Sequence, residues 1–127
     1  MKRDLDLIRN MLLVIESADP EDPHVINIET FLHLNQKPRV ISHHIKLLLD
    51  SKFIEADGPI YIDDIEDFYI ERITSAGYDY LDSVRDTRVW SATKKKILPA
   101  GGSVALDLVK ALATDYLKAL LAGTLPS

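Results

Sequence analysis

The stretch from Asn35 to Arg72 constrains this chain more than any other. From Gln36 to Leu49 the apolar residues recur at helical spacing, with positive charge set between them. The pattern then switches to short extended pieces, Phe53-Ile54-Glu55-Ala56, Ile60-Tyr61-Ile62 and Asp67–Ile73, interrupted by the turn signal Asp57-Gly58-Pro59 and by Asp63-Asp64-Ile65-Glu66. A helix that leads straight into extended segments commits this region to a helix packed on a small antiparallel sheet. At 127 residues, 46% of them hydrophobic, the chain can bury one real core without staples. It contains no cysteine, so disulfides and thiolate metal sites are excluded. No apolar run approaches the length of a membrane span, and Met1-Lys2-Arg3-Asp4 opens an amphipathic pattern rather than a signal peptide. The expected location is the cytoplasm, with no membrane partner.

Around that stretch the remaining elements are helical. Leu5, Ile8, Leu12 and Ile15, widened by Met11 and Val14, predict a helix over Asp4–Ser17, with Asp4 as its cap and Asp6 placed well against the helix dipole. Ala18–Pro23 ends it, since proline cannot continue the backbone ladder. Val25–Leu34 admits two readings: a short strand over Val25–Ile28 followed by a brief helical turn, which is favoured, or a short helix through Ile28, Phe31, Leu32 and Leu34, the first half of a helix-turn-helix. Lys37–Ser51 is the second helix, with Pro38 in its first turn and Val40 or Ile41, Ile45, Leu48 and Leu49 as its buried stripe. Thr74, a good cap, starts a long helix expected to reach about Lys96, where Pro99-Ala100-Gly101-Gly102 breaks it. Ser103 is expected to cap a last helix to about Ala122. Its broad apolar face runs through Ala105, Leu108, Val109, Leu112, Tyr116, Leu117, Leu120 and Leu121. Such a face suits either the core or a twin in a homodimer. The expected organisation is one domain overall, with a core over 1–73 and a C-terminal helical extension over 74–127.

The second helix is the strongest candidate site. From Gln36 to Lys52 there are four cationic residues and one acid, although the whole chain carries a net charge of −5 and a pI near 5.3. A helix that enters a DNA major groove needs exposed donors on one face, and Arg39, His43 and Lys46 share a side by helical spacing. Lys37 and His44 join them as candidate double-stranded DNA contacts. Arg85, Arg88, Lys94, Lys95 and Lys96 form a second basic region, with Lys94, Lys95 and Lys96 as further candidate phosphate contacts. The bland readings are the solvated face of an ordinary helix and cations placed near a helix C-terminus.

The extended region points the other way. Glu55, Asp57, Asp63, Asp64, Glu66, Asp67 and Glu71 precede Arg72 with no cation among them, and carboxylates repel a phosphate backbone. This is either a solubilising hairpin or a protein-binding edge, for which Tyr61, Asp63, Asp64, Glu66, Asp67, Phe68 and Tyr69 are the candidate residues. No calcium-loop spacing is present among these acids. His43 and His44 are adjacent, so they point about 100° apart on a helix and do not chelate one ion, and His24 and His33 add no ligand spacing. Ser42 beside His43 is not a triad, and Gly101-Gly102-Ser103 lacks a P-loop lysine pattern. No catalytic residue, metal or cofactor is expected.

Val40-Ile41-Ser42-His43-His44-Ile45-Lys46 through Phe53-Ile54 resembles the recognition helix and first wing strand of winged-helix regulators such as the metal-responsive repressors. Ile73-Thr74-Ser75-Ala76-Gly77 resembles the start of the helix after the wing. Lys52 departs from that pattern, which often has glycine at the helix end. A wider match covers nearly the whole chain. Met1–Arg9, Arg72–Thr74 through Gly77, Leu81–Asp86, Trp90–Lys96 and Gly101-Gly102-Ser103 resemble the bacterial family catalogued as domain of unknown function 2513, which is frequent in phages and prophages. That resemblance implies a bacterial or mobile-element protein with a winged-helix-like fold and carries over no activity. The fold expected is mainly α with a small antiparallel β-sheet, a winged helix-turn-helix with two C-terminal helices. The function expected is a non-enzymatic DNA-binding regulator, with a protein-interaction module built on the same scaffold as the alternative.

Overall fold

The computed structural model describes residues 1–18, 21 and 25–125. His24, Pro20 and Pro23, named above, lie outside these. The protein is mostly helical with one two-stranded antiparallel sheet among the described residues, and it divides into two compact units.

The first unit comprises Met1 and Arg3–Tyr78. Helix α1 spans Leu5–Glu16 and buries Leu5, Leu7, Ile8, Met11, Leu12 and Ile15. The Asp4 carboxylate accepts from Leu7 N at 3.0 Å, the expected cap. A 3-10 helix follows over Ile28–Leu34 and buries Ile28 and Phe31. Helix α2 spans Pro38–Asp50 with proline in its first turn, where a missing N–H costs nothing. Ile41, Ile45 and Leu48 are fully buried, each contributing about 1.5–3 kcal/mol of hydrophobic stabilisation. Ser42 and His44 are buried on the same helix, while Leu49 is only partly covered.

Strands β1 (Ile54–Ile62) and β2 (Ile65–Ile73) form the hairpin, with Ile54 opposite Ile73, Glu55 opposite Arg72 and Ile62 opposite Ile65. The chain reverses at Asp63 (φ 50°) and Asp64 (φ 64°). Two central residues at positive φ match the twist of a tight hairpin, and aspartate tolerates that region better than most side chains. Asp57-Gly58-Pro59 does not reverse the chain as its composition predicts. It is absorbed into β1 as a bulge, where the register slips between Asp57 and Ile60. Gly58 sits at φ 118°, and a Cβ there would lie 3.1 Å from the Asp67 carbonyl oxygen. The strand expected over Val25–Ile28 is reduced to one bridge, Ile26 to Ile70, because the 3-10 helix already begins at Ile28.

The second unit comprises Lys2 and Asp79–Ser127. The helix expected from Thr74 to Lys96 is two helices, α3 (Ser75–Val84) and α4 (Thr87–Ile97). Asp86 breaks it: its backbone is extended, and its carboxylate accepts from Arg88 N at 2.8 Å and Val89 N at 3.2 Å. An acidic N-cap was available in the sequence at this position and outweighs the continuous helical pattern. Helix α5 spans Leu106–Leu121 and starts from Ala105, so Ser103 stands too early to cap it. It buries Leu106, Val109 and Ala113, whereas Ala105, Leu108 and Leu121 are exposed, so the apolar face is narrower than expected. No helix among the described residues is long and apolar enough to cross a membrane.

The Lys52 departure and the Thr74–Gly77 motif have one physical setting. Helix α2 ends in a Schellman motif, in which Phe53 N donates to Leu48 O and Lys52 N to Leu49 O, both at 3.0 Å. Lys52 holds the left-handed position at φ 63°, which glycine fills without strain. The Lys52 carbonyl then accepts from the Thr74 hydroxyl at 2.6 Å, and that hydroxyl accepts from Gly77 N at 3.1 Å. Thr74 therefore caps α3 and ties it to the end of α2. Gly77 has no Cβ because one would lie 2.2 Å from the Phe53 carbonyl oxygen. Replacing Lys52 by glycine relieves the left-handed strain and is expected to raise stability by about 1 kcal/mol in denaturant unfolding. A loss of stability would contradict this account of the α2 terminus.

Candidate functional site

The polar run of α2 supports the fold more than it faces solvent. The buried Ser42 hydroxyl donates to the Glu66 carbonyl oxygen on β2 at 2.6 Å. His44 is fully buried. Its Nε2 accepts from Asp4 N at 2.9 Å, and its Nδ1 lies 2.7 Å from the Val40 carbonyl oxygen. An accepting Nε2 leaves the proton on Nδ1, so the ring is a neutral link between α1 and α2. Both ring nitrogens are occupied by protein groups, so His44 reaches neither DNA nor a metal, and its assignment as a DNA contact is corrected. Lys46 makes an ion pair with Glu66 at 3.1 Å, and both side chains are partly exposed. His43 is held below the ordinary histidine range, first by burial and further by the positive charges of the N-terminus and Lys46, with Asp50 opposing. It is therefore a poor cation at neutral pH. Because the unfolded chain takes up this proton first, acidification through the ordinary histidine range works against the fold at this position.

Lys37 and Arg39 are what remains of the expected reading surface. Both are exposed at the start of α2, and neither side chain has a hydrogen bond or ion pair among the described residues. A groove of about 450 Å³ lies between α2 and the hairpin, lined by His43, Lys46, Leu47, Asp50, Glu66 and Phe68 among others. Its charges are largely paired or opposed, so it offers no concentrated field of either sign.

The hairpin divides into a structural face and an open one. Asp67 is buried, and its Oδ1 accepts from Ile28 N at 3.0 Å and Phe68 N at 2.8 Å, which caps the 3-10 helix from across the sheet. Phe68 is core. Neither can meet a partner, so both leave the candidate protein-binding set. Tyr61, Asp63, Asp64 and Tyr69 are exposed, and Glu66 is tied to Lys46. Ile60 and Ile62, absent from that set, are also exposed, which puts three consecutive apolar residues in water at the tip, with Tyr61 at 71%. At the hairpin base Arg72 holds Glu55 through two bonds of 3.0 and 2.8 Å, which raises the Arg72 pKa. The Glu71 carboxyl is pushed up by its hydrogen bond to Asp57 and by the charges of Asp57 and Glu55, against the pull of Arg72.

In the second unit Arg85 pairs with Asp82 at 2.9 Å and Arg88 with Asp86 at 3.1 Å. Lys94 lies 5.7 Å from the centroid of the Trp90 ring, a cation–π contact. Lys95 and Lys96 are exposed. Gly101 and Gly102, at φ 92° and 80°, make a turn rather than an anion cradle at a helix start. His33 is exposed, and no group of three or more metal-ligating side chains converges among the described residues. The charge is divided along the chain. Through Tyr78 there are 8 Lys or Arg and 15 Asp or Glu, and from Asp79 onward 7 and 5.

The structural role of His44 has a direct consequence. His44→Ala leaves a cavity and an unpaired Asp4 N–H, and is expected to cost about 2–4 kcal/mol in denaturant unfolding. A variant as stable as the parent would return His44 to the candidate contact surface.

Residues 2–103 match the family described as "Hypothetical protein (DUF2513)". An uncharacterized protein of Haemophilus influenzae is 29% identical over 122 residues, which cover 96% of this chain and 100% of that protein. No solved structure matches the chain. The family match spans the first unit and continues past α4, and the chain belongs to the DUF2513 family.

Proposed function

We propose that this chain is a non-enzymatic interaction module on a winged-helix scaffold, and that its hairpin binds a basic protein segment. The observation that carries this is the exposure of Ile60, Tyr61 and Ile62 at the hairpin tip, set among acids. The order of α1, a bridging residue at Ile26, a short helix, α2 and then the hairpin supports the winged-helix reading. Exposed aromatic and aliphatic residues in a cluster favour a protein interface. Asp57, Asp63, Asp64 and Glu71 would select a cationic partner and speed its approach. Cytoplasmic location and a phage or prophage origin rest in this reading on family resemblance. Pairing of two copies would use the half-buried Leu112, Leu117 and Leu120 of α5.

A second reading, a regulator that binds double-stranded DNA, is favoured by Lys37 and Arg39 at the start of α2, which have no partner among the described residues. It works against the carboxylates of the hairpin. One experiment separates the two. Selection from a random peptide display library is expected to enrich segments that combine Lys or Arg with apolar residues. Tyr61→Ala should weaken the selected peptides about tenfold or more, while Arg39→Glu leaves them unchanged. Enrichment of nothing, together with duplex binding that Arg39→Glu abolishes, would replace the protein-binding reading with the DNA one.

A further inference from the structure

We infer that the groove between α4 and α5 binds a nucleotide unit, a phosphate carried beside a planar ring. The groove lies wholly within the second unit and has a volume of about 550 Å³, in the range of small-ligand sites. Arg88, Lys95 and Lys96 line it, and no acidic side chain among the described residues does. On α4, Ser91 and Ala92 stand three and four residues after Arg88, and Lys95 stands four and three after them, so one face of the helix carries all four. Thr87 and Ser91 add hydroxyls from α4, and Tyr116 faces them from α5.

Apart from Arg88, the polar side chains of this groove, those of Thr87, Ser91, Lys95, Lys96 and Tyr116, have no hydrogen bond or ion pair among the described residues. The other cations of the region are engaged: Arg85 with Asp82, Arg88 with Asp86, and Lys94 over Trp90. Two adjacent lysines with no counter-ion, beside two hydroxyl donors, suit a phosphate. Tyr116, with Ala92 and Leu125 as apolar lining, supplies a surface on which a base can stack. The groove therefore offers both halves of a nucleotide's chemistry, from the part of the chain where cations outnumber acids.

A free mononucleotide and one unit of a single-stranded nucleic acid present that same chemistry. The test uses the full chain at low salt, with fluorescence anisotropy of a labelled oligothymidylate and competition by AMP and by pyrophosphate. Binding is expected, and the double variant Lys95→Glu, Lys96→Glu should weaken it about tenfold or more. Tyr116→Ala should weaken both nucleotide probes about fivefold or more and leave pyrophosphate unaffected. Displacement of the oligonucleotide by AMP identifies a mononucleotide site, and failure of AMP with both variants still effective identifies a strand site. No binding of any probe overturns the inference, as does binding that survives the lysine reversal. Lys95→Ala, Lys96→Ala, with unchanged thermal unfolding, guards against a folding defect. The hairpin variant Tyr61→Ala should leave this binding intact, so the outcome is independent of the proposed protein interface.

Discussion

The first unit depends on the way α2 uses its polar residues. Three of them, two residues apart, make bonds to other elements: Ser42 to the β2 backbone, His44 to the start of α1, and Lys46 to Glu66 on β2. The first two are buried, where an unmade hydrogen bond costs more than a made one contributes. They therefore fix the angle and register at which α2 meets its neighbours, while Ile41, Ile45 and Leu48 supply the apolar contact. The same logic recurs at Asp67, whose carboxylate caps the 3-10 helix, and at Thr74, which joins the end of α2 to the start of α3.

This use of polar groups changes what the surface can do. Of the four cations from Gln36 to Lys52, Lys46 is paired with Glu66, Lys52 lies past the end of α2, and Lys37 and Arg39 stand at its start, beside a hairpin rich in carboxylates. The hairpin, in contrast, exposes apolar residues that its own core does not need. Charge separates along the chain in the same sense, acidic through the first unit and mildly basic after it. The proposed cationic protein segment and the proposed nucleotide would therefore be drawn to different parts of the chain, by Coulomb attraction in each case.

The elements whose causes are local were legible in the sequence. The α1 periodicity with its Asp4 cap, Pro38 at the start of α2, and Thr74 as the cap of α3 all act within a few residues. The break at Asp86 was also local, but the helical pattern on both sides hid it. The roles of His44, Ser42 and Asp67 were not legible, because their partners lie 40, 24 and 39 positions away. Histidine next to histidine on a charged helix has the same composition whether it faces a phosphate or a backbone N–H. Only the packing of α1 against α2 decides between them. The exposed tip was hidden for a similar reason: Ile60-Tyr61-Ile62 reads as an extended piece, and only the packing of the folded chain decides that neither face of this end of β1 is covered.

The most direct test of this account is the tautomeric state of His44, read by nitrogen-15 NMR of the imidazole rings at neutral pH. The account predicts a neutral ring with its proton on Nδ1, and that proton slow to exchange because the Val40 carbonyl holds it within the core. A ring protonated on Nε2, or one whose protons exchange freely with water, would contradict it. In that case α2 would not be held by its polar residues, and His44 would again be available to a partner.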